Sequence, residues 1–378
     1  MVSRLAVKLI ERYASDADRL LDPFCGSGTV LRMAHQRGIP VTGVDLNPIA
    51  GLFTHVKLRG FVPDKGKILA QTVVRVARAT ASPLEVSWPQ KHYWFTPETL
   101  CKFERLRSAC RELDIAASDE GIAVLLGLAL SVRLCSRADQ RSPKPFISRL
   151  AIEARKGKHF DPYRTLTGLV GELAVHYGTP VSQVPSRFFL GDVARDMSLV
   201  RQVGNHSHVI TSPPYINAQD YFRNFKLELH MLQGVLPFRV DDVQTRFIGT
   251  ERGDLGSSAS QEGLGANLGL LPTLRRLDKR SGRLKAVVCR YISDMGGAFD
   301  FIKDCIAPRG CLVLICGDNL VGGIHIRTWQ VLRKMLENRG FTLFDRFSDP
   351  IRTRMLAPKR LGHKGIIKEE VVCAYRSP

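Results

Sequence analysis

Three short runs of this sequence carry residue types suited to chemistry. The first is Asp22-Pro23-Phe24-Cys25-Gly26-Ser27-Gly28-Thr29. Glycines in such a turn let the backbone approach a ligand closely, and the amides opening a following helix face it. The second, Gly43-Val44-Asp45-Leu46-Asn47-Pro48, places an acid at Asp45, 19 positions after Gly26. In nucleotide-binding sheets an acid at the end of the second strand holds ribose hydroxyls at about that spacing. No third glycine stands at the dinucleotide spacing and no P-loop lysine follows, which disfavours NAD and ATP. The third run is Thr211-Ser212-Pro213-Pro214-Tyr215. Its prolines stop a strand, and it offers a hydroxyl, a prolyl carbonyl and an aromatic ring in a row.

These runs need elements that hold them. Apolar spacing predicts a helix over 4–13, a short strand at Leu20-Leu21, a helix over 30–37 stopped by Gly38, and a strand over 41–45. Strand, glycine turn, helix and strand begin a parallel, doubly wound sheet. From about 60 to 185 the strand signal fades, and 67–79, 97–113 and 120–134 read as helices. Strands return at 188–192 and 208–211, the latter running into Ser212. Residues 221–232 form an amphipathic helix, 249–269 a Gly/Ser-rich loop, 298–306 a helix, 308–310 a turn and 311–316 a buried strand. A helix over 324–338 and strands over 341–347 and 370–375 close the pattern. The expected organisation is 1–59 and 186–378 as one catalytic domain, with a mobile loop at about 235–285 and a helical, basic insertion over 60–185.

The first run resembles the cofactor motif of the amino-methylating DNA methyltransferases. The resemblance covers roughly 20–58 and 188–232. It implies a Rossmann-like α/β sheet that binds S-adenosylmethionine. Asp22 to Thr29 would surround the methionine part, Asp45 with Leu46 and Asn47 the ribose, and Asp192 with Val193 the adenine, Thr211 lying alongside. Asp192 also suits a helix cap. Thr211 to Tyr215 resembles the family's catalytic motif in the form common among cytosine-N4 enzymes, with Ser212, Pro213, Pro214 and Tyr215 as catalytic residues. The chemistry fits these types. An exocyclic base amine is a poor nucleophile because its lone pair is delocalised into the ring. Acceptors on its N–H groups, the Ser212 hydroxyl and Pro213 carbonyl, draw that pair back. The base must leave the duplex to be reached, and Tyr215 would stack on it once flipped. Cytosine-C5 enzymes use a Pro-Cys nucleophile, and this chain contains no Pro-Cys. Asn217, Asp220, Tyr221, Arg223 and Asn224 are candidates for the target pocket, as is Gly317-Asp318-Asn319.

The expected reaction is therefore methylation of a cytosine N4 amine in double-stranded DNA. Adenine N6 and an RNA guanine N2 amine are the nearest rivals, and a non-catalytic DNA-binding protein of the same fold is a rival of another class. Enzymes of this family occur with and without a cognate restriction endonuclease, so restriction–modification is one setting. Many N4 enzymes carry the catalytic motif first; here the cofactor motif precedes it. That order puts 60–185 where one class carries its target-recognition region, with 238–284 as the rival segment.

The 378-residue chain has 44% apolar residues, ample for a core, and a formal charge of +19. Such a charge points to a polyanionic partner. Basic stretches lie over 133–164, 275–290 and 352–364, with Arg133, Arg137, Arg141, Lys144, Arg223, Arg352 and Arg354 as candidate phosphate contacts. No apolar run is long enough for a bilayer, and the N-terminus has no signal-peptide pattern, so a cytoplasmic, nucleoid-associated protein is expected. The nine cysteines are scattered, without a CxxC pair. They read as buried reduced thiols, with no metal site expected.

Overall fold

The computed structural model describes residues 1–142, 144–155, 160–178, 182–216, 221–253, 255, 267–350 and 369–378. They divide into two compact units: Met1–Leu46, Val184–Asp220 and Gln244–Pro378 form one, and Asn47–Gln183 with Tyr221–Val243 form the other. The helical unit begins at Asn47 and takes in Tyr221–Val243, where the sequence places an insertion over 60–185.

The first unit is built on a seven-stranded sheet. In chain order its elements are α1 (Ser3–Tyr13), β1 (Leu20–Asp22), α2 (Thr29–His35) and β2 (Val41–Asp45). After the second unit come β3 (Ser186–Leu190), a short helix (Leu199–Val203), β4 (His206–Thr211) and β5 (Ile306–Cys316). The hairpin β6 (Asn319–Val321) and β7 (Ile324–Ile326) stands apart, and β8 (Thr342–Pro350) and β9 (Glu369–Arg376) close the sheet. The strand order is β3-β2-β1-β4-β5-β9-β8. β1 to β5 are parallel and β9 runs antiparallel to β5. This is the expected Rossmann-like sheet. Its core gathers on the central strands and the long helix Gly282–Cys305, where Phe299, Phe301, Leu312 and Tyr375 are fully buried. Eight of the nine cysteines are buried and none forms a disulfide.

The second unit is helical. Its principal helices are Pro48–Arg59, Pro63–Ala79, Pro97–Glu112, Asp119–Cys135, Pro162–Tyr177 and Tyr221–Leu232. Four of them open on proline at the first helical turn, where the missing N–H has no partner to lose.

Three expectations change. Residues 235–285 are not one loop, since Val240–Arg246 and Leu271–Arg280 are helices within them. Much of the Gly/Ser-rich 249–269 lies outside the described residues. The turn over 308–310 is absorbed into β5, where Arg309 takes φ 59° and the register to β4 shifts between His206 and His208. The helix expected over 324–338 is instead β7 followed by Thr328–Glu337.

Candidate active site

The cofactor and catalytic runs end adjacent parallel strands. β1 pairs with β4 in register, Leu20 opposite His208 and Leu21 opposite Val209. From β1 the sheet spreads one way through β2 and β3, and from β4 the other way through β5. Open α/β sheets bind ligands outside the carboxyl ends of strands at such a reversal.

Asp22 closes β1 and is buried. Its Oδ1 accepts from the Phe24 N–H at 3.1 Å and from the Thr211 hydroxyl at 2.7 Å. Burial pushes its carboxyl up to about 7, against the pull of Thr211 and Phe24. Thr211 is fully buried, and its hydroxyl bond to Asp22 joins the two motifs. The turn itself needs glycine. Gly26 has φ 51° and Gly28 φ 71°, and Gly28 opens α2. The Gly26 N–H donates to Asp45 Oδ2 at 2.8 Å, so the acid at the end of β2 also fixes the turn. A Cβ built on Gly26 meets nothing within 4 Å. Backbone conformation, not crowding, demands glycine there, and the space beside it is open. Ser27 is exposed, Phe24, Thr29 and Leu46 are half-buried, and Pro23 and Cys25 are buried.

The remaining predicted cofactor residues are tied into the fold. Asn47 belongs to the helical unit and is buried, its Oδ1 accepting from the Ile49 N–H at 3.0 Å as the cap of Pro48–Arg59. Val193 is core. Asp192 accepts from the Ala194 N–H at 3.1 Å and from Arg195 at 2.8 Å, and Arg195 also donates to Asp294 at 2.5 Å. Asp192 follows β3 and locks its own turn rather than capping a helix, since the next helix, Leu199–Val203, has Ser198 as its N-cap.

Beyond β4 the chain leaves regular structure. Ser212 and Pro214 are half-buried, while Pro213 and Tyr215 are buried. Among the described residues nothing hydrogen-bonds the Ser212 hydroxyl. The Tyr215 hydroxyl donates to Glu370 Oε1 of β9 at 2.9 Å. Gly317 and Asn319 are buried, and Asp318 faces His325 at 3.3 Å. Asn217 and Asp220 lie outside the described residues.

Within the helical unit, Arg223 is exposed on Tyr221–Leu232, and Asn224 has a buried Oδ1 with no partner. One turn on is a residue the sequence reading passed over. Glu228 is buried, and burial pushes its carboxyl up to about 7 against the attraction of Arg133. Its signal was an acid inside an apolar helix stripe. The predicted phosphate contacts carry internal partners. Arg133 bonds the Ser142 carbonyl, Arg137 the His92 carbonyl at 3.3 Å, and Arg141 grips buried Asp139 at 2.9 and 2.5 Å. Arg141 nonetheless leaves 67% of its side chain exposed. Lys144 is half-buried. Arg352 and Arg354 lie outside the described residues.

No protein-family model matches the chain. Two relatives do: the Type II methyltransferases M.AvaI of Nostoc sp. (strain PCC 7120 / SAG 25.82 / UTEX 2576) and of Anabaena variabilis. Each is 22% identical over 387 residues, covering 90% of this chain and 76% of the relative. The findings support a methyltransferase of the S-adenosylmethionine-dependent class. S-adenosylmethionine is its cofactor. The residues at the turn fit a cationic ligand: both donors to buried Asp22 use its Oδ1, and Asp45, at the end of β2, is a second acid beside the turn. Among solved structures, TrmN from Thermus thermophilus aligns at 11% identity with a TM-score of 0.30, over 100% of this chain and 48% of that one. The rRNA methyltransferase aviRa from Streptomyces viridochromogenes aligns at 12% with a TM-score of 0.31, over 99% of this chain and 84% of that one. Scores this low carry no argument. No helix of the described residues is long and apolar enough to cross a membrane, and no group of three metal-ligating side chains occurs among them.

Proposed function

We propose that this chain transfers the methyl of S-adenosylmethionine to the exocyclic N4 amine of a cytosine flipped out of duplex DNA. One observation carries the reading: Ser212 and Pro213 follow directly on the strand that Thr211 fastens to Asp22 of the cofactor turn. Bound there, the cofactor supplies a methyl activated by its sulfonium. The Ser212 hydroxyl and Pro213 carbonyl accept hydrogen bonds from the amine, restoring the lone pair to nitrogen. The nitrogen would take the methyl as the methyl–sulfur bond breaks, leaving S-adenosylhomocysteine, and would then give a proton to solvent. Positioning does most of the work, since two aligned reactants held in contact need little further help. Tyr215, its hydroxyl held by Glu370, presents a fixed ring for the extruded base.

The DNA assignment is supported by the basic charge and by the exposed Arg137, Arg141 and Arg223, which we assign to phosphate contacts with Lys144, Arg133, Arg352 and Arg354. The reading needs no restriction endonuclease partner.

The test is direct. Duplex DNA from a methylation-free host is incubated with radiolabelled S-adenosylmethionine and the protein, then digested, and the nucleosides are identified by mass spectrometry. N4-methylcytosine is expected. N6-methyladenine would move the acceptor, and label in RNA alone would remove DNA as substrate. Absence of any label, with no cofactor binding by calorimetry, would leave a non-catalytic binding protein.

A further inference from the structure

Accepting Ser212 to Tyr215 as the catalytic loop, we propose that Asn319, oriented by Thr328, is a positioning residue for it. The loop has no regular secondary structure, and two of its four residues are prolines without an N–H. Its backbone cannot hold itself, so outside groups must. Three do. Thr211 anchors its start to Asp22, Glu370 holds the tip of Tyr215, and Asn319 Nδ2 donates to the carbonyl of the next residue, Ile216, at 3.2 Å.

The third anchor is fully enclosed. Asn319 is 1% exposed and Thr328 is fully buried. The Thr328 hydroxyl donates to Asn319 Oδ1 at 2.7 Å. With a carbonyl on one side and a hydroxyl on the other, only one amide orientation satisfies both: nitrogen to Ile216, oxygen to Thr328. The reverse would set two oxygens against each other in a dry site, an unmet pairing that costs about 1–3 kcal/mol.

The small β6–β7 hairpin provides the mount. Asn319 starts it and pairs with Ile326, and its turn is Gly322-Gly323, with φ 54° and 77°. Such a two-residue turn takes positive φ at both positions and closes the hairpin tightly. Thr328 then opens the helix that follows. The hairpin, outside the main sheet, thus holds one amide against the end of the catalytic loop. Misplacing reacting groups by about 1 Å can cost on the order of a hundredfold in rate. A shift of the Ile216 carbonyl moves Tyr215 and the Pro213 carbonyl together.

The experiment compares Asn319→Asp, Thr328→Val and Thr328→Ser with wild type, measuring kcat on duplex DNA and the dissociation constant for S-adenosylmethionine by calorimetry. Asn319→Asp keeps size and the acceptor for Thr328 but turns an oxygen towards Ile216. Thr328→Val removes the hydroxyl at nearly constant shape. Both are expected to lose about tenfold or more in kcat while cofactor affinity stays within about twofold. Thr328→Ser, which returns the hydroxyl, is expected to recover most of what Thr328→Val loses. Ser212→Ala and Tyr215→Ala run alongside. If those two abolish transfer while Asn319→Asp and Thr328→Val keep wild-type kcat, the positioning role is overturned and the catalytic reading stands. Parallel losses of kcat and cofactor affinity would also overturn it, by revealing general disruption. If Ser212→Ala and Tyr215→Ala transfer methyl at the wild-type rate, the catalytic reading itself fails.

Discussion

At the residue scale, Asp22 carries the most consequential chemistry. It is a buried acid whose folded value, about 7, lies well above the ordinary 3.8. The direction fixes its thermodynamic sign. An acid raised by burial contributes stability that is complete below the unfolded value and lost as pH climbs through the folded one. A cation bound beside it reverses the preference, because only the carboxylate attracts it. Affinity for S-adenosylmethionine should therefore rise about fivefold between about pH 6 and pH 7, below the midpoint of an α-amine. Asp22→Asn retains the acceptor for Thr211 and Phe24 and should flatten that rise. Calorimetry across this range checks it; an unchanged slope in the variant would detach Asp22 from the cofactor. Glu228 obeys the same sign inside the helical unit. Glu228→Gln should melt higher than wild type at about pH 8 and level with it near pH 4.5, as scanning calorimetry would record.

At the element scale, what was legible followed from local rules. β2 over Val41–Asp45 and the helix Tyr221–Leu232 match their predicted bounds, because alternation and 3.6-residue spacing are local properties. Pro48–Arg59 and Pro162–Tyr177 were missed although each has a cap-plus-proline start, Asn47-Pro48 and Asp161-Pro162. The first was hidden inside the cofactor motif and the second behind a basic segment. The β6–β7 hairpin was hidden because three-residue strands have too few positions to show a period. Of the candidate site, the strand-end motifs could be read from composition, whereas Thr211 to Asp22, Tyr215 to Glu370 and Asn319 to Ile216 join residues more than a hundred positions apart. Local pattern cannot encode such pairs. Arg195 and Asp294, 99 positions apart, are a further long-range pair, tying the turn after β3 to the helix Gly282–Cys305. The two carboxylates on Arg195, Asp192 and Asp294, leave only 6% and 9% of their side chains exposed. Arg195→Met would leave Asp192 its Ala194 N–H donor and Asp294 the Arg290 guanidinium at 3.7 Å, and should still cost about 3 kcal/mol in a denaturant titration near neutral pH. The deficit should shrink as acid protonates them, and an unchanged midpoint would show the network to be neutral.

At the scale of the whole molecule, charge is the property to explain. A chain of +19 pays a self-repulsion cost that no core interaction requires. Internal uses account for some of it: Arg133, Arg141, Arg195 and Arg290 all hold carbonyls or carboxylates. These arginines build the fold, and their guanidinium forks suit that task. Arg223 is exposed on the helical unit, and Arg137 is exposed there too while donating to the His92 carbonyl. Nucleic-acid binding makes a quantitative claim on such a surface. Each phosphate neutralised releases condensed counterions, so log affinity falls with log salt at a slope of about −0.9 per contact on duplex DNA. Fluorescence anisotropy with a labelled duplex, from about 50 mM to 200 mM salt, should give a slope steeper than about −3. Arg137→Ala and Arg223→Ala should each reduce the slope by about one while leaving cofactor affinity intact. A shallow slope in wild type would assign the positive charge to another polyanion. An unchanged slope in both variants would move the phosphate track to other basic residues of the chain.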